Sequence, residues 1–88
     1  MVEREVKIIN RLGLHARPAA MLVQKATKFK SEIKLKKGDL EVNGKSIMGV
    51  MMLAAEMGST LLITAEGEDE VVAVKALIEI IQNKFGEE

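Results

Sequence analysis

The 88 residues contain one histidine and one proline, His15 and Pro18, both within the stretch RLGLHARPAA at residues 11–20. Imidazole titrates near neutrality, and its unprotonated nitrogen is a nucleophile. Two positions on stands Arg17, a fixed cation with a planar fork of donors that matches a phosphate. These two residue types suit the transfer of a phosphoryl group. Competing chemistries lack partners. With no cysteine and no second histidine there is no metal-ligand set, and spacing places no serine beside His15 to build a triad.

A histidine used in this way needs a helix start to hold it. From Ala19 the apolar positions fall at Ala19, Leu22, Val23 and Ala26, one face of a helix. Proline is tolerated only in a first turn, so Pro18 predicts a helix beginning near residue 16 with His15 at or beside its N-cap. The N–H groups of Ala16 and Arg17 then have no intrahelical acceptor. They point, at the positive end of the helix dipole, to where a phosphoryl group on the ring would lie. The same dipole favours the neutral ring. Gly13 lets the loop approach the helix end without a side chain.

The remaining elements follow from periodicity. Alternation predicts a strand near residues 3–9, and two more at 31–36 and 39–43 joined by a turn at Lys37-Gly38. Asn43-Gly44 makes the next turn. Ser46 is placed as the N-cap of a short helix carrying Ile47, Met48, Val50, Met51 and Leu53. A largely apolar strand spans Thr60 to Glu66. Acids at 68–70 open a last helix whose expected buried stripe is Val71, Val74, Leu77, Ile78, Ile81 and Phe85. The order β-α-β-β-α-β-α in one 1–88 domain points to an α+β fold with helices on one face of an antiparallel sheet.

Composition narrows the function. Apolar residues make up 48% and charged residues 30%, as in a soluble globular protein. No apolar run reaches the roughly 20 residues of a membrane span. The lack of cysteine and of an apolar leader predicts a cytoplasmic protein with no membrane insertion. Thirteen cations balance thirteen acids. Residues 11–30 nevertheless hold five cations and no acid, which would draw an anionic group or an acidic partner to the His15 end. Two phenylalanines are the only aromatics, too few for stacking nucleobases, so direct nucleic-acid binding is not expected.

Gly13-Leu14-His15-Ala16-Arg17-Pro18-Ala19 closely resembles the active-site motif of the HPr family, the histidine-containing phosphocarriers of the bacterial phosphoenolpyruvate:sugar phosphotransferase system. A second stretch, Asn43 to Val50, resembles the regulatory serine region of Gram-positive-type members. The resemblance covers essentially the whole chain. It implies an open-faced β-sandwich, four antiparallel strands in the order 1-4-2-3 with three helices on one face. It also implies that His15 accepts a phosphoryl group at Nδ1 from phosphorylated enzyme I and passes it to a sugar-specific enzyme IIA. The expected product is a carrier without turnover of its own, monomeric and free of cofactor or metal. His15 separates the chain from the regulatory paralogue that lacks this histidine. Leu12 departs from the small polar residue common in the family.

Read by itself, Ser46 is a helix cap worth about 1 kcal/mol. The resemblance adds a regulatory role: a serine kinase/phosphorylase would phosphorylate it, and a catabolite-control transcription factor would read the result. A phosphate there suits the helix dipole and adds negative charge near the basic region. Met48, Met51, Met52 and Met57 crowd into ten residues. Methionine fills cores but also serves surfaces that meet several partners, and Ile47, Met48 and Met51 are the expected contact patch. The rival to a carrier is a regulatory binding module, a corepressor or a nitrogen-type relay acting mainly through phosphorylated Ser46.

Overall fold

Residues 1–87 are described by a computed structural model. In it these patterns produce β1 (Val2–Lys7), α1 (Ala16–Ala26), β2 (Glu32–Lys37), β3 (Leu40–Asn43), α2 (Ile47–Met52), β4 (Thr60–Glu66) and α3 (Glu70–Gln82). The strands form one antiparallel sheet in the order β1-β4-β2-β3. Central β4 pairs Val6 with Leu61 on one side and Leu35 with Ile63 on the other. This register sends Ile33, Leu35, Leu61 and Ile63 to the helix-covered face, where each is at most 1% exposed. Withdrawing each from water contributes about 1.5–3 kcal/mol. The opposite face carries Glu3, Glu5, Lys34 and Lys36 and stays open to solvent, as an antiparallel sheet allows.

Helix α1 buries Pro18, Ala19, Leu22, Val23 and Ala26, the face read from its periodicity. Helix α3 differs from expectation. Its buried residues are Ala73, Val74, Leu77 and Ile81, while Val71 is 66% exposed and Ile78 only partly covered. Val71 lies in the first turn, where it lines a surface groove with Val2 and Arg4 rather than entering the core. Phe85 is buried, but the helix has already ended at Gln82. The hairpin turn is Gly38-Asp39, since Lys37 already pairs with Leu40. Gly38 sits there at φ +58°.

One polar clamp joins the two loops at the α3 end of the sheet. Asp69 accepts the N–H of Lys30 (2.8 Å), the N–H of Ser31 (2.9 Å) and the Ser31 hydroxyl. Ser31 is fully buried, and Gly67 passes so close that a Cβ there would lie 2.7 Å from it. The Ser31 hydroxyl and then the Lys30 N–H hold the Asp69 carboxyl below its ordinary value. A lowered carboxylate contributes stability that is complete above its unfolded value and lost as pH falls through the folded one. Asp69→Asn should therefore lower the melting temperature at pH 7 and flatten its acid limb. Melts between pH 2 and 7 check this; parallel curves for the two proteins would show the clamp is inert.

Candidate functional site

The His15 loop is tied down from below. After β1, Ile8 stays paired: its N–H reaches the Ser59 carbonyl at 2.8 Å, and its carbonyl takes the Gly58 N–H at 2.7 Å. The chain then folds back through Asn10, whose carbonyl accepts the Gly13 N–H at 3.1 Å. Gly13 has φ +69°, and a Cβ on it would sit 2.6 Å from the Ala55 carbonyl oxygen. Only glycine fits this approach. Next, Leu14 buries its side chain and donates its N–H to the same Ala55 carbonyl at 2.8 Å.

His15 follows as the N-cap of α1, in extended conformation with φ −81° and ψ −171°. Its carbonyl accepts the first intrahelical bond, from Ala19 at 3.0 Å. Ala16 and Arg17 come before that bond, and Pro18 has no N–H to give, so two backbone donors face outward beside the ring. The expected placement of His15, Ala16 and Arg17 is thus present, and nothing from the ring caps the helix.

Periodicity gave no sign of Glu87. Its Oε2 lies 2.9 Å from His15 Nε2 and accepts from Arg17 Nη1 at 3.2 Å, while Oε1 accepts from Asn10 Nδ2 at 3.0 Å. A carboxylate can only accept, so the hydrogen of the imidazole contact sits on Nε2, and in the neutral ring Nδ1 keeps its lone pair. Burial pushes the Glu87 carboxyl upward. Hydrogen bonds from Asn10 and His15, the imidazole charge and the Arg17 bond outweigh this and bring it below its ordinary value. Glu87 reaches the site because residues 84–86 form a tight left-handed turn with Lys84 at φ +57°, Phe85 at +55° and Gly86 at +74°. The ring of Phe85, 1% exposed, anchors that turn in the core. In sequence Phe85 sits four residues past Ile81 and continues a helical stripe. Gly86 was the one signal of a chain reversal.

Ile47, Met48 and Met51 are exposed as expected, and so are Met52 and Leu12. Helix α2 packs against α1, with its far end next to the His15 loop through Ala55. Ser46 caps the other end, its Oγ accepting the Gly49 N–H at 3.1 Å. Neighbouring Lys45 donates to the Phe29 carbonyl at 2.7 Å, just beyond the end of α1. The two helices run antiparallel, so the six residues of α2 and then Leu53 to Ala55 lie between Ser46 and the His15 loop. Among the described residues no three His, Asp or Glu side chains converge on a metal position.

Known proteins are similar to this chain in sequence and fold. A family model described as PTS HPr component phosphorylation site matches residues 2–83. Phosphocarrier protein HPr of Treponema pallidum (strain Nichols) is 52% identical over 88 residues, 100% of both chains. The crystal structure of HPr-C-His from Thermoanaerobacter tengcongensis is similar with a TM-score of 0.96 and 51% identity, covering 100% of this chain and 99% of that one. HPr-like protein Crh of Bacillus subtilis (strain 168) is 43% identical over 84 residues, 96% of this chain and 99% of its own.

Proposed function

Because the chain belongs to the HPr family of phosphocarrier proteins, we propose that it works in the cytoplasm as a carrier between phosphorylated enzyme I and a sugar-specific enzyme IIA. His15 is the acceptor and then the donor. The Nδ1 lone pair attacks phosphorus, the donor's bond to phosphorus breaks, and the ring hydrogen stays on Nε2. A negatively charged phosphoryl group on Nδ1 is then met by the N–H groups of Ala16 and Arg17 and by the Arg17 guanidinium, at the positive end of α1. The reading is carried by one observation: Glu87 engages Nε2 at 2.9 Å and leaves the other nitrogen to react. Such a carrier is substrate and product in turn and has no turnover of its own. The exposed Ile47–Met48–Met51 surface is where both partners dock.

A second role rests on Ser46. We propose that a serine kinase phosphorylates it, and that a catabolite-control transcription factor reads the product. Its support is the cap geometry, the resemblance of Asn43 to Val50 to the family's regulatory region, and the likeness to HPr-like protein Crh. An N-cap phosphate keeps the helix while adding about 1.5–2 negative charges. A charge at Ser46 acts by repelling an acidic partner, an effect that salt screens.

Incubation with phosphoenolpyruvate and enzyme I tests both roles together. The wild type should take one acid-labile, alkali-stable phosphoryl group. Ser46→Asp should keep its helix, because aspartate also caps, and take the group roughly threefold to tenfold more slowly at low salt. That gap should close as salt rises. No label on the wild type ends the carrier reading. Equal rates for Ser46→Asp and Ser46→Ala at low salt leave Ser46 as a cap alone.

A further inference from the structure

Asn10 is fully buried, yet its side-chain oxygen has no hydrogen-bond partner among the described residues. An unpaired buried carbonyl opposes folding. The amide nitrogen explains why the residue is there. One of its hydrogens goes to the Gly13 carbonyl at 2.8 Å, the other to Glu87 Oε1 at 3.0 Å. Turning the amide over would aim its oxygen at those two acceptors, so the orientation is fixed by its neighbours. We infer that Asn10 is a positioning residue for His15 that acts through Glu87, aiming the carboxylate so that it holds the ring hydrogen on Nε2 and leaves Nδ1 to react.

The geometry supports the chain of contacts at each link. Among the described residues Glu87 has two donors besides Asn10, His15 at 2.9 Å and Arg17 at 3.2 Å, and both meet the same oxygen, Oε2. Of these donors Asn10 holds the other oxygen, so it sets the rotation of the carboxylate about its last bond. That torsion is otherwise soft, because a terminal sp³–sp² bond has no sharp staggered wells. Arg17 cannot take over, since its side chain is 62% exposed and long. Asn10 never meets a docking partner, because no part of it reaches the surface. It must therefore act on the chemical step and leave docking alone.

The inference deepens the carrier reading, on which only its kinetic arm rests. In Asn10→Ala, kcat for phosphoryl uptake from enzyme I should fall about tenfold, as expected when one hydrogen bond to a charged group is lost. KM should stay within about twofold. Asn10 also supports Gly13, and a double variant separates the two routes. If Asn10 works through Glu87, adding Asn10→Ala to Glu87→Ala should slow uptake by less than about twofold further. An undiminished loss in that background overturns the proposal, as does a change confined to KM. The second arm needs no transfer. Nitrogen-15 spectra of the His15 ring at about pH 9, well above the ordinary imidazole range, should show the hydrogen on Nε2 in the wild type. The two ring resonances should move toward each other in Asn10→Ala and in Glu87→Ala. Unchanged resonances in Asn10→Ala overturn the proposal. A wild type that takes no label but shows this pattern ends the carrier reading and keeps the positioning role. Should Asn10→Ala fail to fold, Asn10→Ser, which retains a single donor, takes its place in both arms.

Discussion

His15→Ala is expected to take up no phosphoryl group from enzyme I, while its melting temperature stays within roughly 8 °C of the wild type. No other side chain in the sequence can replace the acceptor, since His15 is the only histidine and there is no cysteine. The fold loses little because the imidazole is 38% exposed and caps nothing. Its one side-chain hydrogen bond among the described residues is with Glu87, and exposed ion pairs in general contribute no more than about 1 kcal/mol. In a domain of this size 1 kcal/mol shifts the melting temperature by about 4–8 °C. Mass spectrometry under neutral conditions, beside a thermal melt, reads both quantities. Any phosphoenolpyruvate-dependent mass gain in the variant would remove His15 from its role.

Gly13→Ala should be strongly damaging for a single added methyl. The residue holds φ +69°, which costs an alanine about 1–2 kcal/mol. Its new Cβ would also meet the Ala55 oxygen at 2.6 Å and Glu56 Cα at 2.9 Å, both backbone atoms. Relieving that overlap costs typically another 1–3 kcal/mol. The expected loss is about 2–5 kcal/mol, or roughly 10–30 °C in melting temperature. Phosphoryl uptake should fall with it, because moving Ala55 breaks the Leu14 hydrogen bond that sets His15. Gly38→Ala is the control, with φ +58° and no atom within 4 Å of the new methyl. It should show the strain without the overlap. A Gly13→Ala protein that melts with Gly38→Ala would mean that the loop yields freely.

Which features could be read in advance depended on how far apart in the chain their parts lie. Pro18 and the apolar face of residues 19–26 placed His15 at a helix start because both signals lie within a dozen residues. Ser46 declared its cap in the same way, with the acceptor and the Gly49 donor three positions apart. Strand alternation gave the open-faced sheet, and the resemblance supplied its strand order. The expectation broke down at Glu87. His15 and Glu87 are 72 positions apart, and their meeting depends on two non-glycine residues taking positive φ, a choice that local propensity argues against. Phe85 even misled, since burial was expected of it for a helical reason and occurs for a different one. Asn10 reads as loop because a buried amide looks like any surface turn residue in sequence. Val71 went wrong in the opposite direction: apolar and in phase, it sits one turn too early to be covered.

The turn at Lys84–Gly86 sets the site's own clock. Left-handed backbone at Lys84 and Phe85 costs about 1–2 kcal/mol per residue, and burial of the Phe85 ring returns about 1.5–3 kcal/mol. These opposing terms nearly cancel, so the docked turn is held mainly by the three hydrogen bonds that Glu87 accepts. A segment balanced so closely opens far more often than the sheet beneath it, and its amides exchange with solvent on their own schedule rather than with global unfolding. Each opening also frees Arg17 and the imidazole edge together. The acceptor is therefore expected to alternate between an engaged and a released state, at a ratio set by the three hydrogen bonds that Glu87 accepts.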